Sequence, residues 1–173
     1  MLEDDELIDE IVSFWFSDEA RSRWFKSTIQ FDRLLRDKYQ PVWNMAKEGG
    51  FDHWEQTPEG ALALVIVLDQ FPLNMFRKDE RQYSTEAHAR AVAGRAIEKG
   101  FDQSLTDEQK GFIYLPFMHS ESLQDQDRAV ELYALNGLQK NLPYAQHHRD
   151  VVQRFGRFPH RNEVLGREST PQE

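Results

Sequence analysis

The chain has 173 residues, and its 21 Lys and Arg against 30 Asp and Glu give a formal net charge of −9. The absence of cysteine excludes disulfides, thiolate metal sites and a cysteine nucleophile, and is typical of a reducing, cytoplasmic compartment. The acidic balance disfavours nucleic acid and anionic membranes as partners. The longest apolar run, Ala61–Leu68, is too short to cross a bilayer, and the acidic amino end, Met1–Glu6, is not expected to be a secretory signal.

Apolar residues recur at helical spacing along most of the chain, and this pattern predicts a single all-α domain over residues 1–173. The predicted helices cover roughly residues 7–15, 27–47, 57–69, 85–99, 106–116, 123–141 and 144–155. Their short connections favour antiparallel pairs of successive helices. The polar segment from about residue 168 is expected to be a loose tail.

The third predicted helix begins with Thr57 as its N-cap and Pro58 in its first turn. Its body is apolar on all sides, which is typical of a helix buried by its neighbours. A buried strand has the same composition, but the Thr-Pro start and the lack of a partner strand favour the helix. Asp69 is expected to end it, because Pro72 disfavours a helical conformation at Phe71.

A first polar cluster follows this helix and contains Asp69, Gln70, Asn74 and Arg77. A carboxylate at the end of a buried helix needs a cation or several donors. The cluster is therefore either a structural ion pair between Asp69 and an Arg, or one wall of a cleft.

A second cluster follows Pro116, where a helix is expected to break or bend, and contains His119 and Glu121. A His beside a carboxylate can act as a general base or a proton shuttle. An ordinary loop or capping arrangement explains the same residues.

A third cluster lies in residues 147–167, which carry five Arg and three His, whereas residues 1–20 carry eight acids and no Lys or Arg. Its candidate residues are His148, Arg157, His160, Arg161, Asn162 and Arg167. Arg side chains suit carboxylate or phosphate ligands. Two other interpretations remain: that the two charged segments attract each other, and that these Arg neutralise the protein's own acids, including Asp69 and Glu121.

These clusters also carry a resemblance to the domain-of-unknown-function 924 family of small bacterial proteins. The matching positions are Phe14–Phe16, Trp24–Phe25, Leu68–Pro72, Asn74, Phe76–Arg77, Tyr114–Pro116, His119–Glu121, Gln126, His148–Arg149, Phe155–Asn162, Leu165–Arg167 and Ser169–Thr170. The resemblance implies an all-helical fold similar to tetratricopeptide-repeat superhelices, and it implies no activity or cofactor. The family usually has Arg where Leu73 stands, so this chain lacks one candidate cation.

Two functions are compatible with these patterns. The first is a pocket for a small anion, a phosphate ester or a carboxylate, that is held by Arg77, Arg157, Arg161 and Arg167. Asp69 and Glu121 would orient these Arg side chains, and His119 or His160 would transfer protons, with His119, Glu121 and His160 as the candidate catalytic residues. The second is a helical module that binds a protein or peptide partner. A third, a metal-dependent hydrolase with ligands from His119, Glu121, His148 or His160, has no metal-ligand spacing in its favour, and no metal site is predicted.

Overall fold

The computed structural model describes residues 3–173, which form helices and turns without any strand. Met1 and Leu2, which belong to the acidic amino end, lie outside the described residues. The helices are α1 (Asp4–Trp15), α2 (Asp18–Arg21), α3 (Ile29–Lys47), α4 (Pro58–Val65), α5 (Phe71–Met75), α6 (Glu86–Glu98), α7 (Asp107–Met118), α8 (Leu123–Leu135), α9 (Leu142–Phe155) and α10 (Asn162–Leu165). A π-helical turn, Ile66–Gln70, joins α4 to α5, and short 3₁₀ turns cover Asp52–Gln56, Glu80–Tyr83, Phe101–Ser104 and Pro159–Arg161.

The all-α prediction is confirmed for the described residues. Seven of these helices have eight or more residues, and each falls in a predicted helical region. Local capping sets two of their starts: the Thr57 hydroxyl accepts from the Gly60 amide, and Thr106 with Gln109 forms a capping box. Pro41 lies inside α3, which continues through it.

The centre of the molecule is α4, which packs against α1, α6 and α7. Every residue of Ala61–Leu68 is buried, which confirms the prediction of a helix surrounded by neighbours. Helices that follow each other in the chain also pack together, α6 on α7, α7 on α8 and α8 on α9. No helix within residues 3–173 is both long enough and apolar enough to cross a bilayer.

The prediction that the chain leaves the helix at Phe71 is wrong. Phe71 has helical backbone angles, φ −57° and ψ −41°, and its N–H bonds the carbonyl of Ile66 five residues back. Pro72 has no N–H for the carbonyl of Leu68, and the Thr85 hydroxyl donates to that carbonyl instead, at 2.6 Å. The helix therefore continues from α4 into α5, and Asp69 lies within it rather than at its end.

Two further expectations are corrected by the structure. Pro116 lies inside α7, which runs on to Met118. The segment after Arg167, expected to be loose, contacts the domain: Arg157 donates to both carboxylate oxygens of Glu173 and to the carbonyl of Glu168.

Candidate functional site

The site begins with the buried carboxylate of Asp69 in the π-helical turn. Its Oδ1 lies 3.0 Å from Nδ1 of His119, and its Oδ2 accepts from the side-chain amide of Gln70 at 2.7 Å. A buried carboxylate needs such partners because its desolvation costs several kcal/mol. The partner is a His at the C-cap of α7, and not the Arg that the sequence suggested.

Two opposing effects determine the pKa of His119. Burial lowers the pKa of His119, whereas the adjacent charge and hydrogen bond of Asp69, with the nearby Glu86, raise it, and the raising effects are larger. Nε2 of His119 has no hydrogen-bond partner in residues 3–173, and 17% of the side chain is exposed to solvent. His119 can therefore offer a proton from Nε2, as a general acid does.

Next to this pair, Arg161 and Glu86 form a buried two-point ion pair. Both Arg161 amino groups donate to the Glu86 carboxylate at 3.0 Å, and Nη2 also donates to the carbonyl of His119 at 2.8 Å. The guanidinium lies 4.1 Å from the ring centre of Tyr83. Only 5% of Arg161 is exposed, and its Nε, also buried, has no acceptor in the described part of the chain.

Glu121 is occupied by a different cation. Arg167 donates to both of its oxygens at 2.9 and 3.0 Å, and the amide of Phe158 donates to Oε2 at 2.6 Å. Burial raises the pKa of Glu121, but these hydrogen bonds and charges lower it further, so the group stays ionised. Arg167 also bonds the Asn162 side chain, and the structure thus gives Glu121 a role in holding the segment after α9.

Two further His lie around the buried ring of Phe158. The rings of His148 and His160 are 5.5 and 5.6 Å from it, between ring centres. Burial lowers the pKa of both His, and the charge of His119 adds to this. The carbonyl of Tyr144 accepts from His148 Nδ1 at 2.7 Å, which leaves Nε2 as a neutral acceptor.

A cavity of about 450 Å³ opens beside Glu86, Glu121 and Arg161. It is lined by Glu80, Arg81, Tyr83, Ser84, Glu86, Glu121, Arg161 and Leu165. We refer to it as the Arg161 cleft. Within residues 3–173 no three His, Asp or Glu side chains lie close enough to hold a metal ion.

The predicted site residues do not all meet here. Asn74 and Arg77 bind Asp32 on α3, and Arg157 binds Glu173. Arg157, Arg161 and Arg167 therefore have carboxylate partners, as the neutralisation hypothesis predicts, whereas Arg154 forms no ion pair within residues 3–173. Among these partners only Glu121 was expected. Sequence reasoning missed four participants: Asp32, Tyr83, Glu86 and Glu173.

Comparison with known proteins identifies a family and a similar solved structure. Residues 11–173 match the family described as bacterial protein of unknown function (DUF924). A solved structure of a protein of unknown function from Agrobacterium tumefaciens is 40% identical, with a TM-score of 0.91 over 98% of this chain and 96% of that one. No curated protein matches. The family resemblance is thereby confirmed along nearly the whole chain.

Proposed function

This chain belongs to the DUF924 family of bacterial proteins, and we propose that it binds a small anion, a phosphate ester or a carboxylate, in the Arg161 cleft and exchanges a proton with it. The observation that carries the proposal is the buried Nε–H of Arg161, which has no acceptor although the residue lines the cleft. An unpaired buried donor costs roughly 1–3 kcal/mol. Because Nε is itself closed off from the cleft, an oxygen of a bound anion would satisfy this donor once the side chains that bury it shift.

Charge balance adds a condition to this binding. Three Glu and two Arg line the cleft, and Arg167 pairs with one of these Glu, so a bare anion meets no net positive charge. Burial raises the pKa of Glu86, which makes this carboxyl the group that most readily accepts a proton when an anion approaches. Binding should therefore take up a proton and strengthen as the pH falls through the raised pKa of Glu86.

The three His supply complementary proton states. Burial lowers the pKa of His119 but Asp69 raises it more, whereas burial lowers the pKa of His148 and His160. Groups whose environments separate their pKa values in this way can serve as acid and base at one pH. None of the three His lines the Arg161 cleft; in this proposal His119, whose charge acts on Glu86, is the proton donor, and His148 or His160 the acceptor.

A ligand screen by thermal shift, over phosphate esters, nucleotides and dicarboxylates, tests the proposal. A ligand at 100 times its Kd should add about 2.7 kcal/mol of stability, or roughly 5–11 °C in Tm. Arg161→Lys should abolish the shift, because Lys keeps the charge but lacks the Nε donor. Arg149→Lys is the matched control, since Arg149 forms an exposed pair with Asp127.

Two further measurements guard against a variant that fails to fold. Tyr83→Phe keeps the Arg161–Glu86 ion pair and removes one hydroxyl from the cleft. Calorimetry of the wild type in two buffers counts the protons that are taken up on binding. A shift that survives Arg161→Lys would contradict the proposal. If no compound shifts a cooperative melt, the helical module for a protein or peptide partner becomes the better hypothesis, and a partner pull-down would follow.

A further inference from the structure

A second cleft lies between the first half of α3 and the end of α5. Its volume is about 320 Å³. The residues that line it are Ile29, Asp32, Arg33, Arg36, Asn74, Met75, Arg77 and Lys78. None of them lines the Arg161 cleft, so the two are separate sites. We refer to this one as the α3–α5 cleft.

The α3–α5 cleft is strongly cationic in an acidic protein. Four cations and one carboxylate line it, although the whole chain has a net charge of −9. In the described part of the molecule, neither Arg33 nor Lys78 makes a side-chain hydrogen bond or ion pair, and Arg36 bonds only the neutral Gln40, through Nε. The nearby Asp79 is occupied by Arg81. These cations are therefore available to a ligand, unlike those of the Arg161 cleft.

The single carboxylate is used to position one of these cations. Asp32 accepts from Arg77 Nε at 2.7 Å, from Ser27 at 2.7 Å and from the buried Asn74 amide at 2.9 Å. Burial raises the pKa of Asp32, but these partners lower it more, so it stays charged and holds Arg77 in place. Nη1 of Arg77 has no partner in residues 3–173 and remains a free donor.

The backbone also presents Lys78 in a particular way. Among the described residues Lys78 is the only one other than glycine with a positive φ, +67°. A Lys rarely adopts this left-handed conformation, because its Cβ crowds the carbonyl. The chain thus turns sharply after α5 and places a cation on the wall of the cleft.

We propose that the α3–α5 cleft binds a phosphate or diphosphate group. Several free donors and a surplus of positive charge suit the oxygens of a multiply charged phosphate better than a single carboxylate. Ile29, which is 69% exposed, and Met75 supply apolar contact for the remainder of the ligand. The group can belong to a soluble phosphorylated molecule or to a lipid headgroup. This inference does not depend on the activity proposed for the Arg161 cleft.

Calorimetric titration of the whole protein with inorganic pyrophosphate tests this inference. The double variant Arg33→Gln/Arg36→Gln should weaken binding about 10- to 100-fold, because it removes two charged donors that are exposed and make no ion pair. The double variant Lys140→Gln/Arg154→Gln makes the same change of charge at exposed positions outside the cleft, and it should bind like the wild type. Added salt should also weaken binding.

Further arms identify the source of the phosphate and the position of the site. Sedimentation with phosphatidylcholine vesicles that carry phosphatidic acid tests the headgroup, and binding there that is lost in Arg33→Gln/Arg36→Gln supports the same proposal. Pyrophosphate binding that is lost in Arg161→Gln but kept in Arg33→Gln/Arg36→Gln would place the anion in the Arg161 cleft and overturn it. Failure to bind either probe, or tighter binding of an oligoglutamate peptide, would overturn it as well.

Discussion

Two carboxylates inside this protein, those of Asp69 and Glu86, are held by cations of different kinds. Glu86 has a permanent cation, Arg161, in a two-point pair. Asp69 has His119, whose charge depends on pH. The two pairs are joined because Arg161 donates to the carbonyl of His119. A change of protonation at His119 therefore affects a connected group of charged side chains: Asp69, His119, Glu86 and Arg161.

The substitution Asp69→Asn tests the origin of the charge on His119. In the wild type the pKa of His119 lies above its ordinary value of 6.5 because the attraction of Asp69 and Glu86 exceeds the effect of burial. Without the Asp69 charge burial dominates, and the pKa should fall below 6.5. NMR titration of the imidazole signals measures this, with His119→Gln to assign the resonance.

The matched control for this titration is Asp127→Asn, which removes a carboxylate from an exposed pair with Arg149. It should leave the titration of His119 unchanged. A pKa of His119 that stays above 6.5 in Asp69→Asn would show that the Asp69 carboxylate does not keep the proton on His119.

At the scale of elements, the π-helical turn determines where the site residues lie. It lets the chain pass Pro72 without leaving the helix, and it adds a residue to the turn that carries Asp69 and Gln70. The carbonyl that Pro72 leaves without a donor is taken by Thr85, whose hydroxyl in turn accepts from the indole of Trp43 at 3.1 Å. Thr85 therefore connects α3, the π-helical turn and the start of α6.

A double-mutant cycle tests this role of Thr85. Thr85→Val should cost roughly 1–3 kcal/mol in the free energy of unfolding, because it leaves the buried carbonyl of Leu68 without a donor and the Trp43 indole without its acceptor. Pro72→Ala restores an N–H that can reach that carbonyl, so the cost of Thr85→Val should be about 1 kcal/mol smaller in that background. Denaturant unfolding of the four proteins measures the coupling.

Thr85→Ser serves as the control, because it keeps the hydroxyl and should cost far less than Thr85→Val. Equal costs of Thr85→Val in the two backgrounds would mean that Thr85 does not compensate for the proline.

The helices were predictable from the sequence because their signals are local. Spacing of apolar residues, the Thr57-Pro58 start and the capping box at Thr106 all act within one or two turns. The π-helical turn was not predictable, since the donor that permits it, Thr85, lies 17 residues from Leu68. The rule for residues before proline gave the wrong result at Phe71 because this tertiary contact outweighs it.

The site was predictable in its residue types but not in its pairs. His119, Glu121 and Arg161 stood out as polar residues in an apolar context, yet no local pattern assigns their partners. Glu86 and Arg161 are 75 residues apart in the chain, and the sequence does not distinguish Glu86 from the other acidic residues. Its burial, which depends on how α6 packs, is what distinguishes it.

At the scale of the whole molecule, the uneven charge along the chain does not reflect attraction between its ends. In the described residues the ion pairs of Arg149, Arg157, Arg161 and Arg167 go to Asp127, Glu173, Glu86 and Glu121. None of these acids lies in residues 3–20. The hypothesis of two attracting segments is therefore wrong for these pairs, and the basic segment is neutralised by acids that lie after α5.

The ion pair of Arg157 with Glu173 holds the last residues against the domain, and its contribution to stability should depend on pH. The pKa of Glu173 is about 2, mainly because Arg157 donates to it, compared with an ordinary value of 4.5. A lowered carboxyl pKa stabilises the folded protein fully above about 4.5 and progressively less as the pH falls toward 2. Glu173→Gln should therefore lower Tm at neutral pH, and the difference from the wild type should shrink across that acid range. Thermal melts at a series of pH values measure it. Glu168→Gln, the same change at an exposed position whose side chain makes no ion pair with Arg157, should melt like the wild type throughout. If Glu173→Gln also does so at neutral pH, the carboxyl end is not held by this pair.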